Sequence, residues 1–315
     1  MPLIGHAKER QYLLKKQRED RIFPVMIFHG PNGIGKKAVA LELICNEVCS
    51  HQSACGDCPA CQKVQNLEYE NLFVLRPEGK FIKIEAVRQL LSALSLRAQD
   101  LTRYVILEEA EKLNPQAANA LLKTLEEPPE KTVFILLTSN LSSLLPTIRS
   151  RAIPIAFNTL SFQELQELSP ESPTWLLKAA QGRPGLLEDL KQHDSLQERK
   201  LALEVLSLYR ESSRHENFQK IKQWVKDKPN WDRVFFFMQS FLRDARILSI
   251  NEDKLLNLDQ KAYLQDLSQI GDDFIDLQYR ATIRLQEQFL ANQDKSLCLE
   301  NFWFESKKKY VSVTA

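Results

Sequence analysis

The sequence is short of what membranes, secretion and electrostatic capture of polyanions require. No apolar run approaches the roughly 18 residues of a membrane span. The opening Met1-Pro-Leu-Ile-Gly-His-Ala-Lys8 lacks the apolar stretch of a secretion signal. Neither sign of charge is in excess: 42 Lys plus Arg against 41 Asp plus Glu leave a formal charge of +1. Any binding of nucleic acid or anionic lipid therefore needs a local patch. Internal repeats and low-complexity tracts are also missing. These absences predict a cytoplasmic protein without membrane contact. In that reducing compartment the six cysteines are not expected to form a disulfide framework, least of all with four of them between Cys49 and Cys61.

A chain of 315 residues is long for one core, so two or three domains are expected. From residue 22 to about 157, short β-rich runs alternate with helical patterns, which predicts an α/β domain with a mainly parallel sheet. The expected strands are Val25 to His29, Leu72 to Leu75, Tyr104 to Leu107, Val133 to Leu137 and Ala152 to Ile155. One helix between them has marked ends, with Asn114 as N-cap, Pro115 at the first helical position and Pro128-Pro129 as the stop. After Asn158 amphipathic helical patterns take over, broken at Ser169-Pro170 and Arg183-Pro184-Gly185. The expected domains are thus 1–158, a small helical one over 159–195, and an all-helical one over 196–315. The Phe-rich stretch Trp231 to Leu248 carries more apolar surface than a free-standing bundle easily buries, which suggests a subunit interface, although core packing explains it nearly as well. The run Lys307-Lys308-Lys309 reads as a frayed, solvated end.

The chemistry concentrates in Gly30-Pro-Asn-Gly-Ile-Gly-Lys36-Lys37, directly after the first strand and opening a helix (Lys37 to Val48). This is a phosphate-binding loop, with Gly30, Gly35 and Lys36 placed to cradle an anion at a helix N-terminus. The motif ends in Ser or Thr, whose hydroxyl holds a magnesium ion. Here Lys37 stands at that position, and an ammonium cannot ligate a cation. Strand Tyr104 to Leu107 ends in Glu108-Glu109, where a nucleotide hydrolase places one acid for the metal and one for the attacking water. Glu108 is longer than the usual Asp by about 1.5 Å. Thr138 stands at the end of another strand. The loop is read as degenerate: it holds phosphate or merely keeps its shape, and binding of ATP with magnesium is doubtful.

Cys49, Cys55, Cys58 and Cys61 have spacing suited to tetrahedral, structural zinc, with Cys45, one helical turn before Cys49, as a substitute first ligand. A redox pair of Cys55 and Cys58 is the competing reading. Their neighbours Ser50, His51, Gln52, Ser53, Asp57 and Gln62 include no basic cluster or interleaved aromatics, which argues against a nucleic-acid knuckle. Cys298 stands apart and reads as an inert buried residue.

The stretches Asn119-Ala-Leu-Leu-Lys123-Thr-Leu-Glu126-Glu127-Pro128-Pro129, Leu136-Leu-Thr138-Ser139-Asn140 and Ile148-Arg149-Ser150-Arg151-Ala152 together resemble the bacterial DNA polymerase III clamp-loader family. Within it they are most similar to the delta-prime group. The resemblance covers about the first 190 residues. It implies an AAA+ domain with a zinc insertion, a helical lid and a helical collar, assembled with tau/gamma and delta subunits in a hetero-pentamer that meets the sliding clamp and primer-template DNA. It also implies that Arg151, in the Ser-Arg-Cys box with Ala152 in place of the cysteine, reaches ATP bound by a neighbour, with Arg149 as an alternative. ATP-hydrolysing members carry a lid arginine in a Gly-x-x-Arg pattern, where Gly182-Arg183-Pro184-Gly185 puts Gly185. The expectation is a non-hydrolysing stator. The alternative is an ATP-hydrolysing subunit similar to tau or gamma, for which Lys36, Glu109 and Thr138 speak.

Overall fold

The computed structural model describes residues 3–51, 53–95, 101–192, 195–210 and 213–314. Two compact units emerge, one of residues 1–172 with 180–186, the other of residues 173–179 with 187–315.

The first unit runs α1 (Ala7–Arg18), β1 (Val25–His29), α2 (Lys36–Val48), α3 (Pro59–Gln65), β2 (Leu72–Leu75), α4 (Ile84–Ser95), β3 (Arg103–Leu107), α5 (Pro115–Glu126), β4 (Thr132–Thr138), α6 (Pro146–Arg149), β5 (Ile153–Ala156) and α7 (Phe162–Leu168). The five strands form one sheet in the order β2-β3-β4-β1-β5, parallel throughout. Central strands of such a sheet are covered on both faces, and their sequences read as continuous apolar runs. Alternate residues of one run then serve opposite cores. Met26, Phe28, Tyr104 and Ile106 pack with α1, α2 and α3 residues such as Leu13, Val39 and Val64. Val25, Ile27, Val105 and Leu107 pack instead with Val87, Leu90, Ala117 and Leu121 of α4 and α5. The register Val25 opposite Phe134 through His29 opposite Thr138 brings the C-terminal ends of β1 and β4 side by side, where the phosphate loop emerges.

The helix α5 is bounded as its caps predict: the Asn114 side chain accepts the Ala117 N–H at 2.7 Å, and Pro115 is at its first turn. β5 lies one residue later than expected, and α2 takes in Lys36, shifts of the size that strand and helix ends ordinarily show.

The second unit is helical: α8 (Thr174–Ala179), the greater part of α9 (Pro184–Gln192), α10 (Ser195–Ser207), α11 (Arg214–Asp227), α12 (Trp231–Ile247), α13 (Lys261–Ile270), α14 (Asp272–Leu290) and α15 (Lys295–Thr314). Of the two readings of Trp231 to Leu248, subunit interface and core packing, the structure supports core packing for its aromatics. α12 packs against α10, α13 and α14 within this one unit. Phe235, Phe237 and Phe241 are buried inside it, and Phe236 is half-buried. Lys307-Lys308-Lys309 is likewise no frayed end, since it continues α15. The buried Arg199 guanidinium binds both Asp259 carboxylate oxygens at 2.8 Å and lies 4.6 Å from the Trp175 ring centroid, tying α8 to α10. Among the described residues no helix is long and apolar enough to cross a membrane.

Candidate functional site

The phosphate loop follows β1 and caps α2 through three glycines whose positive φ angles (146° at Gly30, 77° at Gly33, 104° at Gly35) no other residue adopts readily. At Gly30 the requirement is also steric: a Cβ there would lie 2.2 Å from the Phe157 carbonyl oxygen. The loop borders a cleft of about 320 Å³ to which Lys36, Lys37, Glu108, Glu109 and Thr138 all contribute. Gly30 is absent from its lining, although its carbonyl accepts from Lys36, which lines it. The sequence-predicted nucleotide residues are therefore gathered in one place.

Their charges, however, are answered internally. The Lys36 ammonium donates to the loop's own carbonyls, Gly30 O at 2.5 Å and Pro31 O at 2.8 Å. Burial pushes its pKa down, with Glu111 pulling the other way. Glu108 Oε1, in the position of a metal-holding acid, lies 2.9 Å from Lys37 Nζ and 3.0 Å from Arg76 Nε. A magnesium ion approaching that carboxylate would meet two cations already seated on it. Glu109, in left-handed backbone geometry (φ 49°), pairs with Lys112 at 2.7 Å. Thr138 is buried and its hydroxyl donates to Asn140 O at 3.0 Å.

The segment that carries the lid-arginine position closes on the same loop. Gly185 N–H donates to Gly33 O at 2.7 Å, and a Cβ on Gly185 would stand 2.9 Å from Gly33 Cα. No side chain fits there without moving one of the two backbones. Arg183 does not line the cleft.

Three residues around this cleft escaped sequence reading. His6 Nε2, donating to Ile34 O at 2.7 Å, braces the loop from α1, and its ring packs edge-on against Phe157. Arg76 completes the pairing of Glu108. Glu111 accepts the Ser139 hydroxyl at 2.6 Å and its N–H at 3.1 Å. Burial raises the Glu111 pKa, but the Ser139 and Thr138 hydrogen bonds outweigh it and hold the carboxyl below its ordinary value. Glu111 was legible only as the third acid after β3; the other two have no local signature.

Arg151 stands away from this cleft, just beyond α6. Its guanidinium is held by Glu126, the last residue of α5, with Nε to Oε1 at 2.8 Å and a further contact from Nη2. Nη1 donates to Thr147 O at 2.7 Å. The side chain remains part-exposed, and none of its bonds is to the cleft of its own chain. Arg149 is exposed at the end of α6.

The cysteine module joins α2 to α3. Ala54 (φ 48°) and Gly56 (φ 82°) turn the chain back on itself, and the Cys58 side chain caps α3 by accepting the Cys61 N–H at 3.4 Å. Ligand atoms of Cys49, His51, Cys55 and Cys58 all lie within 4.8 Å of one another. His51 was read in the sequence as a neighbour only. The Cys49 and Cys55 sulfurs are 3.6 Å apart, against about 3.8 Å for two thiolates sharing a tetrahedral ion with bonds of roughly 2.3 Å. Backbone N–H groups, first those of Cys55 and Ser53, bring Cys49 down to about 5, and the Cys61 N–H brings Cys58 down to about 7. Both favour the thiolate that a metal needs. Cys61 is wholly buried and its thiol interacts with those of Cys58 and Cys49, while burial pushes it up. Cys45 points elsewhere, its thiol donating to Cys61 O at 3.8 Å. The donor set fits a metal ion. Cys298 is buried in the second unit.

Residues 5–161 match the family described as DNA polymerase III, delta subunit. Among curated relatives, DNA polymerase III subunit delta' of Pseudomonas aeruginosa is 38% identical over 48% of this chain, so that the match spans about half (49%) of that relative's length. The Yersinia pestis protein of the same name is 31% identical over 76% of each chain. That of Bacillus subtilis is 27% identical over 76% of this chain and 77% of its own. A parallel sheet of this order with a phosphate loop after β1, a cysteine insertion after α2 and similarity sustained over three quarters of both chains place the protein in the DNA polymerase III delta' family.

Proposed function

We propose that the chain is a clamp-loader subunit that does not hydrolyse ATP itself and serves a neighbour's active site. The observation that carries this reading is the Lys37–Glu108–Arg76 cluster, which puts two cations where a hydrolase puts magnesium. Lys36 folded onto its own loop and Gly185 in place of a lid arginine agree with it. The same cluster counts against the tau/gamma-like ATPase. Gly30, Gly35, Lys36, Lys37, Glu108, Glu109 and Thr138 are then remnants that preserve the loop's shape.

Arg151 is the group offered in trans. It is part-exposed, separate from its own cleft and oriented by Glu126, and a guanidinium delivered to a transferring phosphoryl group is worth about 10³-fold or more in rate. The helical region over 196–315 acts as the collar in a hetero-pentamer with tau/gamma and delta, through which the subunit meets sliding clamp and primed DNA in the cytoplasm. The cysteine module holds zinc in a structural role, since a site filled by protein donors leaves no position for substrate.

ATP turnover by the purified chain, alone and mixed with an ATP-hydrolysing clamp-loader subunit, tests this. The expected result is silence alone and partner-dependent turnover that falls roughly 10³-fold in Arg151→Ala. Turnover by the chain alone that disappears in Lys36→Ala would overturn the reading.

A further inference from the structure

The cysteine module offers more donors than a tetrahedral ion can use. Cys49, Cys55 and Cys58 are common to any set of four. Two groups compete for the last position, one buried and one exposed. Cys61 is fully buried, with its thiol against those of Cys49 and Cys58. His51 is exposed, with Nδ1 3.5 Å from Cys55 Sγ and a ring nitrogen within 4.8 Å of all three shared sulfurs. Its placement is not that of a loose surface ring, because its own N–H donates to Cys49 Sγ at 3.4 Å and fixes the backbone from which the imidazole projects.

We propose that His51 Nδ1 and Cys61 Sγ are interchangeable fourth ligands of a zinc-like divalent ion held by Cys49, Cys55 and Cys58. The inference rests on the zinc reading above. Exchange balances simply: the bond from Cys61 Sγ breaks and that thiolate takes a proton from solvent, while Nδ1 of a neutral imidazole, with its hydrogen on Nε2, forms the new bond. The set changes from four thiolates to three thiolates and one nitrogen, and both are stable tetrahedral sets. The module then keeps its ion when one thiolate is lost.

Full-length protein loaded with Co²⁺ reports ligand type through its visible and charge-transfer absorption. We expect His51→Ala to bind Co²⁺ with a four-thiolate spectrum. Cys61→Ser should also bind it, with weaker sulfur charge transfer and ligand-field bands moved to shorter wavelength, as one nitrogen requires. In Cys61→Ser combined with His51→Ala, affinity should fall by a further factor of at least about 10–100, the cost of removing even an outer-shell partner of a metal ligand. Equal affinity of the Cys61→Ser single and double variants would overturn the proposal, as would loss of Co²⁺ from Cys61→Ser as complete as from Cys49→Ser. Should Cys61→Ser not fold, release of the ion to a chelator decides: about tenfold faster in His51→Ala than in wild type supports the reserve ligand, and equal rates overturn it. A wild-type chain that takes up no Co²⁺ or Zn²⁺ overturns this proposal and the zinc reading together, whereas a wild type that binds with His51 irrelevant overturns this one alone.

Discussion

The phosphate-loop cleft and the cysteine module sit on either end of α2, and they differ in whether their reactive groups are already satisfied. In the cleft, these ammonium and carboxylate groups have protein partners: Lys36 its loop carbonyls, Lys37 and Arg76 their shared Glu108, Glu109 its Lys112. In the module, sulfurs and an imidazole crowd together with backbone N–H groups aimed at them, an arrangement that favours thiolates and so calls for a cation. A motif can therefore stand in sequence while its charged groups are answered from within the fold. Partner satisfaction separates the two cases better than motif completeness does.

The largest test of this contrast is metal removal. Chelation should lower the melting temperature by roughly 10 °C or more, since structural zinc contributes several kcal/mol or more to its fold. Millimolar MgATP should leave it unchanged to within about 1 °C, because a ligand without affinity for the native state does not stabilise it. A MgATP shift as large as the metal's would erase the difference between the two regions. Next in size is Gly185→Ala. The added Cβ meets Gly33 Cα and should cost about 1–3 kcal/mol of unfolding free energy in urea titrations. Lys37→Ala, which removes one member of a part-exposed pair, should cost under about 1 kcal/mol. A reversed order would mean that charge, not backbone contact, holds the loop.

The smallest effect is one of pH. The Glu111 carboxyl is held below its ordinary value in the fold, so its folded pKa is depressed. Its contribution to stability is complete above the ordinary glutamate pKa and is lost as pH falls through the lower folded value. Urea midpoints followed from neutral pH into that acid range should therefore converge for wild type and Glu111→Gln as pH drops. Parallel curves would remove Glu111 from the account of the cleft.

Much of this was legible in the sequence, for local reasons. Val25 to His29, four apolar residues and a histidine before a glycine loop, is β1 residue for residue. Asn114-Pro115 announces α5 because capping is a contact within one turn. The cleft residues could be gathered because a phosphate loop and the strand two places along the sheet have a fixed relation in such folds. What stayed hidden depends on contacts distant in sequence. His6 reaches Ile34, Arg76 reaches Glu108 and Gly33 meets Gly185, none through any pattern that either partner carries alone. His51 was visible as a residue two places after Cys49, but only the turn through Ala54 and Gly56 brings it to the sulfurs. The aromatics of α12 left two readings open for a related reason. Composition gives the apolar area of a helix, and only the packing of α10, α13 and α14 around it shows that the area is used internally.

The contact between Gly33 and Gly185 has a bearing on the substitutions open to this chain. A clasp of two bare backbones offers nothing for a mutation to trim; it can be undone only by adding atoms. Placing arginine at 185 would first force a Cβ to within 2.9 Å of Gly33 Cα, before its guanidinium could reach any phosphate. Any side chain at 185 thus starts with a step that strains this backbone pairing before a new contact can form. The clasp works as a ratchet that keeps the position bare.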